Sequence, residues 1–502
     1  MVVYKRQKSG GTIVQGPETK PPAEGELAER CILTLKEPPN HVKALMAWSV
    51  LKEDWAYRPG LGWYRWTGKC WQIAGDSMEL AAVVARFFDA QNWQDRSGAL
   101  YAYTMDEIAR RTIVPEDSWN SADLLSFENG TLNTATNEFR GHRRSDYCTS
   151  VLPYGFEPEA QCPVWLQFLQ QATGQDEQLI AVIRAWFRWI LAPKDRRYKF
   201  PVEKSLDLIG RKGTGKGTLL DVLVQLVGED NCGSAAPDSF SSPEGLGQLI
   251  DKKIAIDADA TGYMSGIGNF NKVVSNEAVS VKKLFKDKAT LRLGVVVVRA
   301  YNDYVSVPSS GTEGLDRRLC LIPFNHPPKE PDHRLSEKLQ AELPGIFAWA
   351  WSMSVASAKA VIRWSGSVRA VQDASIERFC NDHPEYRFLI DEFPYGHEGI
   401  QAYDLYERYV AWAKRNGHKS CSNTKFGTLM NELGIFHHKG NGGCVFIQSP
   451  IWPKNTTFWA ICAFPLAMRP DCPPNLGPKM PQALSPSRLR RVRRLREALN
   501  HP

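Results

Sequence analysis

The spacing of apolar positions divides the chain into stretches of different character. Residues 1 to about 27 are rich in Gly, Pro, Lys and Glu without periodic apolar positions, which predicts a disordered leader. A segment dense in aromatics follows, with Trp48, Trp55, Tyr57, Trp63, Tyr64, Trp66 and Trp71, and then the helical run MELAAVVARFFDAQ. WLQFLQQATG and LIAVIRAWFRWILA carry apolar residues at helical spacing and predict a helical collar. From Leu206 to about Phe324, short apolar strands (SLDLIG, KKIAID, LGVVVVRA, RLCLIPF) alternate with helices, the pattern of an α/β layer that binds nucleotides. After the helical stretch AELPGIFAWAWSMSVASAKAVI come SIERFC, YDLYERYVAWAKRNG and NTKFGTLMNELG, then HHKGNGGCVFIQ. Three helices and a Gly-turned β pair outline a winged helix. The expected division is a leader (1–27), an N-terminal helical and mixed accessory domain with its collar (28–195), an ATPase core (196–365), a winged-helix domain (366–450) and a C-terminal segment (451–502).

The overall numbers agree with this picture. A chain of 502 residues exceeds one ordinary core, and 43% hydrophobic with 23% charged residues is a globular composition. The net charge of +7 is unevenly placed: six arginines against Glu497 between Arg488 and Pro502 supply most of it, so any nucleic-acid path through the body must be a local stripe. That tail suits phosphate contacts without sequence choice. Eleven cysteines without a CxxC pair argue against a zinc knuckle. Their odd number and a polar, basic start fit reduced thiols and a cytoplasmic location. The apolar run Phe458–Met468 is far shorter than the roughly 20 residues of a membrane helix, so no span is expected.

The strongest chemical signal is GRKGTGKGT, Gly210 to Thr218, between the strand SLDLI and an apolar helix. Gly210, Gly213, Gly215 and Gly217 let successive N–H groups, with that of Thr214, turn toward phosphate oxygens, while the helix N-terminus adds its positive end. Lys216 supplies a full charge for the β and γ phosphates of ATP. The usual hydroxyl directly after the lysine is replaced by Gly217, so Thr218 becomes the candidate for the Mg2+ shell, as in nucleoside-monophosphate kinases. KKIAIDADA supplies Asp257, the expected metal-side acid at a strand tip, and Asp259, a water-positioning base or a solvated loop acid. VVVVRAYND ends in Asn302, placed to reach the γ phosphate or its attacking water. GTEGLDRRLCLIPF presents Arg317 and Arg318, which a ring assembly could offer to a neighbour's ATP or which could simply pair with Asp316.

This order of elements resembles the superfamily 3 helicase core of phage and plasmid primase-helicases, a group that includes the pox-virus primase-helicase. Upstream, ENGTLNTATNEFRGHRRSDYCTSVLPYGFEPEAQCPVWLQFL is similar to the domain preceding that core; downstream, YERYVAWAKRNG and FGTLMNELG look like its winged-helix unit. The resemblance implies an AAA+-like P-loop NTPase fold, with Lys216 as the phosphate-loop lysine, Asp257 or Asp259 as the metal-side acid, Asn302 as the γ-phosphate sensor, and Arg317 or Arg318 as the arginine given to the next subunit. It also implies a hexamer moving 3′ to 5′ on DNA. In VSVKKLFKDKATLRL, the charges of Lys282, Lys283, Lys286 and Lys288 around Phe285 suit single-stranded DNA, and the family places a channel hairpin there. Lys425 and Lys439 are the candidate DNA contacts of the winged helix.

The expected activity is thus ATP-driven unwinding of forked DNA for replication of a mobile element, in company with a separate primase or polymerase. De novo primer synthesis by this chain alone is expected to be absent, since the accessory domain begins almost at the start. The competing readings are an initiator or loader that assembles on DNA without unwinding, and a nucleotide kinase suggested by GKGT.

Overall fold

The computed structural model describes residues 38–447 apart from 75–76, 92, 94–96, 262–265, 283–287, 305–314, 394–396 and 433–443. The expected leader and the arginine-rich tail lie outside the described residues.

The chain divides into two compact units. Among the described residues the first takes in those from 38 to Tyr57, Gly62–Tyr64 and those of Ile73–Ile113. Its helices are α1 (Asn40–Leu51), α2 (Ser77–Ala90) and α3 (Gly98–Arg111), and the strands β1 (Trp55–Arg58), β2 (Gly62–Trp66) and β3 (Trp71–Ile73) form a sheet in that order. The aromatic density of the sequence is used as core. Leu80, Val84 and Phe88 recur every four residues on α2 and are buried with Trp55, Trp63, Trp93, Leu100 and Ile108.

The second unit contains Val114 onward. It opens with an antiparallel meander, β4 (Leu124–Phe127), β5 (Gly130–Asn133) and β6 (Glu138–Arg140), followed by α4 (Pro163–Ala172) and α5 (Glu177–Leu191). Asp176 caps α5 by accepting from the N–H groups of Gln178 and Leu179, both at 3.0 Å. The compact division falls near residue 113, whereas the sequence reading drew a boundary at 195. The reason is hydrophobic: Phe127, Trp165, Trp186 and Phe187 share one core with Leu206, Leu208, Val298 and Phe324 of the sheet that follows.

That sheet has five strands, β7 (Ser205–Ile209), β8 (Cys232–Ser234), β9 (Ile254–Asp257), β12 (Val296–Tyr301) and β13 (Leu319–Pro323), in the spatial order β13-β7-β12-β9-β8. Every pairing in it is parallel. Strands buried on both faces read as continuous apolar runs, which is why four of them are legible in the sequence. β8, with the sequence CGS, offers no such run. Between β7 and β8 lies α6 (Lys216–Val227); between β9 and β12 come α7 (Ile267–Val274) and the antiparallel hairpin β10 (Val279–Val281) and β11 (Ala289–Leu291).

One polar pair sits inside this sheet. Asp207 of β7, fully buried, faces Arg299 of β12 in register, with a 2.6 Å ion pair. Arg299 also lies over the Phe270 ring at 4.6 Å. The pair lies in register between β7 and β12, whose C-terminal ends lead into the glycine loop and Asn302.

After β13 come α8 (Leu335–Ala341), α9 (Leu343–Trp351) and α10 (Val355–Trp364). Among the described residues no single helix is long and apolar enough to cross a membrane. The apolar pair α9 and α10 is bent by 82°, and Ile346, Phe347 and Ala350 belong to the core.

The chain continues through α11 (Arg369–Asp382), α12 (Pro384–Glu392), β14 (His397–Gln401), α13 (Ala402–Arg415), α14 (Asn423–Glu432) and β15 (Cys444–Ile447). Phe388, Tyr409, Trp412 and Phe426 pack together there. The described β pairing is β15 with β14, a strand that precedes α13, so it does not follow three consecutive helices as the sequence pattern implied. HEGIQ, with one large apolar residue, gives no strand signal of its own. The Gly-rich turn and Lys439 lie outside the described residues.

Candidate nucleotide-binding site

The glycine loop joins the end of β7 to the start of α6, and two of its glycines are demanded by geometry. Gly210 has φ of +151°, and a Cβ there would stand 2.1 Å from the carbonyl oxygen of Phe324. Gly215, which caps α6, has φ of +99° and lies against the Phe168 ring. Gly213 also has a positive φ, whereas Gly217 has open space around it and an ordinary helical position. The Thr214 hydroxyl donates to the Arg211 carbonyl at 2.8 Å and so pins the turn.

Lys216 is the first residue of α6, and its ammonium points back into the loop. It donates to the carbonyls of Gly210 (2.5 Å) and Arg211 (2.9 Å) and to Oδ1 of Asn302 (3.1 Å). Burial lowers its pKa from the ordinary lysine range, and the nearby Asp259 charge opposes that shift. Asn302 follows β12, and its Nδ2 donates to Asp259 Oδ1 at 3.3 Å. Three residues chosen from separate sequence motifs, Lys216, Asn302 and Asp259, therefore form one connected chain.

Asp257 is placed differently. The strand next to β7 is β12, so β9 and its terminal acid stand one strand further away than a partner on a neighbouring strand would. Asp257 Oδ1 accepts the backbone N–H of Asp259 at 3.3 Å, shaping the turn. Burial pushes its carboxyl up, partly offset by that N–H and by Arg299.

These groups border a cleft of about 700 Å³. Lys216, Thr218, Asp259 and Asn302 line it, while Asp257 is not among its lining residues. Further wall comes from Gln167 and Phe168 of α4, from His326 and from Lys338 of α8. This wall carries no signal in the sequence. Its pieces come from segments far apart in the chain, and no local motif marks either one.

The paired arginines lie at the other end of the sheet. Leu319 of β13 is in register with Ser205, at the start of β7, whereas the glycine loop leaves the end of β7 after Ile209. Five residues of strand separate the two ends by about 17 Å. Arg317 is exposed. Arg318 is buried, with Nε 3.4 Å from Ser275 Oγ and a guanidinium nitrogen 3.7 Å from Glu203. Asp316 pairs with Arg378 at 3.1 Å.

The expected DNA-facing stretch is the β10–β11 hairpin, with Val279 opposite Leu291. Lys282 pairs with Glu244 at 3.4 Å, and Lys288 is exposed. Lys283, Phe285 and Lys286 lie outside the described residues. In the C-terminal part, Lys425 is exposed near the start of α14.

Comparison with known proteins adds three findings. Residues 42–174 match a family described as D5 N terminal like, and residues 208–318 match a family of unknown function, DUF5906. A curated relative, the uncharacterized mitochondrial protein ymf21 of Marchantia polymorpha, is 28% identical over 142 residues, 26% of this chain and 76% of that protein. Among solved structures, the apo A form of the NrS-1 C terminal region is similar with a TM-score of 0.46 at 12% identity, covering 80% of this chain and 98% of that one. A second apo structure of that region gives 0.46 at 13%, covering 81% and 99%. The first family match falls on the segment read from sequence as preceding the core, and the second runs from β7 to the paired arginines.

Proposed function

We propose that this protein is an ATP-driven, ring-forming DNA helicase serving replication of a phage, plasmid or other mobile element. The observation that carries the reading is the hydrogen-bonded chain Asp259–Asn302–Lys216 at the mouth of the glycine loop, on the wall of a cleft large enough for a nucleotide. The D5 N terminal like segment before the core supports a replication role.

In this reading the β and γ phosphates of ATP take the place of the two carbonyls now held by Lys216, and the N–H groups at the start of α6 face the same oxygens. Asn302, bridging lysine and acid, is positioned for the γ phosphate or the water that attacks it. Asp259, on the cleft wall, orients that water. Among the described residues no group of three or more His, Cys, Asp or Glu side chains is arranged to hold a metal. Mg2+ keeps water and substrate phosphates as ligands and needs few from protein. Thr218 and an aspartate of the Asp257–Asp259 turn would hold it; when bound it neutralises charge on the phosphates.

Arg317 or Arg318 completes a neighbour's site. Both stand roughly a strand's length from their own loop, and of the two the exposed Arg317 is free to reach across an interface while Arg318 is occupied within its own subunit. The β10–β11 hairpin, with Lys282, Lys283, Phe285, Lys286 and Lys288, tracks single-stranded DNA through the ring.

Strand displacement on a forked duplex by the full chain with ATP and Mg2+ tests this, with Lys216→Ala as the control. Unwinding that requires Lys216 is expected. DNA-stimulated hydrolysis without strand displacement would favour the initiator or loader reading, and hydrolysis indifferent to DNA would favour a kinase.

A further inference from the structure

At the edge of the sheet where β9 and β12 begin, opposite the glycine loop, a second cavity of about 50 Å³ is lined by Asn120, Ser126, Lys194, Arg196, Lys252 and Lys253. That volume is several times the ~10–15 Å³ that one water needs, room for a small multi-atom group. Positive charge dominates its wall.

The charges are poorly compensated. Lys194 donates to the Ile190 and Ala192 carbonyls (3.0 and 3.1 Å), and Lys252 to the Asp230 carbonyl (2.6 Å). Lys253 is half-buried on the same wall as Arg196. Arg196 pairs with Asp251 at 3.0 Å, and Asp251 is also held by Arg58, which has Glu116 as a second partner; neither carboxylate lines the cavity. Burial and the neighbouring Arg196 push Lys253 down to about 8, and Lys194 is held well below the ordinary lysine range by burial, Lys253, Arg196 and Arg188. The Cys148 thiol on the same wall is pushed up to about 11 by burial, so it is protonated near neutrality and does not supply the missing anion.

Asn120 is an independent observation. Its Oδ1 accepts from the Thr149 N–H (2.9 Å) and hydroxyl (3.0 Å), which fixes the amide's orientation. The Nδ2 group is left buried without an acceptor, a state that costs free energy unless something fills it. The residue is held in left-handed backbone, φ +53°.

An amide donor and four basic side chains line one cavity whose wall carries no carboxylate among the described residues, and a tetrahedral oxyanion offers oxygens in several directions at once. We infer that this cavity is a binding site for one phosphate-class oxyanion, either a free phosphate or a phosphate of a nucleic-acid backbone. It is separate from the glycine loop and does not rest on the helicase reading.

The test is thermal unfolding of the full chain in increasing inorganic phosphate at constant ionic strength, in a Lys216→Ala background that weakens the glycine loop's contribution, with the Lys253 and Asn120 variants compared in that same background. A saturable rise in Tm is expected. Lys253→Met keeps the methylene stem and removes a disfavoured charge, so it should fold and weaken the phosphate response roughly tenfold or more. Asn120→Asp, which keeps the acceptors for Thr149 and adds negative charge, should abolish it. A Tm indifferent to phosphate, or a response unchanged in both variants, would overturn the inference. Titration of a labelled oligo-dT then distinguishes the sources. Oligonucleotide affinity that falls with Lys253→Met and competes with phosphate assigns a backbone phosphate; an unchanged affinity beside a lost phosphate response assigns the free anion.

Discussion

Replacing Asp207 with alanine tests whether the buried ion pair aligns the two strands that build the site. Asp207 is fully buried in the middle of β7, and Arg299, about 5% exposed, faces it from β12 at 2.6 Å. A buried guanidinium deprived of its carboxylate costs on the order of 3–5 kcal/mol, a large share of the ~5–15 kcal/mol by which a domain is stable. Asp257, whose carboxyl feels the Arg299 charge, returns part of that loss. Asp207→Leu with Arg299→Met replaces both charges by apolar groups, and such exchanges are neutral to within about 1–2 kcal/mol. Urea denaturation followed by tryptophan fluorescence should place the single variant several kcal/mol below wild type and the double variant near it. ATP hydrolysis should fall with the single change and recover in the double. A single-variant loss under about 1 kcal/mol, or a double variant no better than the single, would refute this account of the strand alignment.

Three further outcomes follow from the geometry. Gly210→Ala sets a methyl 2.1 Å from the Phe324 carbonyl and should lose well over ~1 kcal/mol and all ATP hydrolysis, whereas Gly217→Ala, in open space, should fold normally and gain up to ~1 kcal/mol by thermal unfolding. Arg317→Ala should lower steady-state turnover by roughly 10³-fold with nucleotide affinity almost unchanged, while Arg318→Ala should lower Tm because its contacts are to Ser275 and Glu203 of its own subunit. Because Lys253 titrates near 8 in the folded chain and near 10.4 when unfolded, the unfolded state holds the extra proton between those values, so stability should rise with pH across that window. Discounted for screening, the rise is on the order of 1–2 kcal/mol, and stability curves for Lys253→Met should lack it.

Much of the sheet was legible because parallel buried strands are continuous apolar runs, and the glycine loop because its spacing joins a strand to a helix. Strand order was not. Nothing local in LGVVVVRA says that it lies between KKIAID and SLDLIG, and that placement is what sets Asn302 against Lys216 and moves Asp257 off the neighbouring strand. The Asp207–Arg299 pair was invisible for the same reason, since each residue reads as a lone charge in an apolar run until the register is known. The packing of residues 114–195 on the sheet, the α4 wall of the cleft and the second, cationic cavity each join segments far apart in the chain. Periodicity carries no information about such meetings.

If ATP is held by the loop of one subunit and completed by an arginine of the next, two defective chains should complement each other. Lys216→Ala and Arg317→Ala, each inactive alone, are co-expressed and the DNA-stimulated ATPase of the mixed assembly is measured. Partial recovery is expected, since about a quarter of the interfaces in a random equimolar ring join an intact loop to an intact arginine. A mixed assembly as inactive as its parents, or an Arg317→Ala protein that hydrolyses ATP at the wild-type rate by itself, would contradict it.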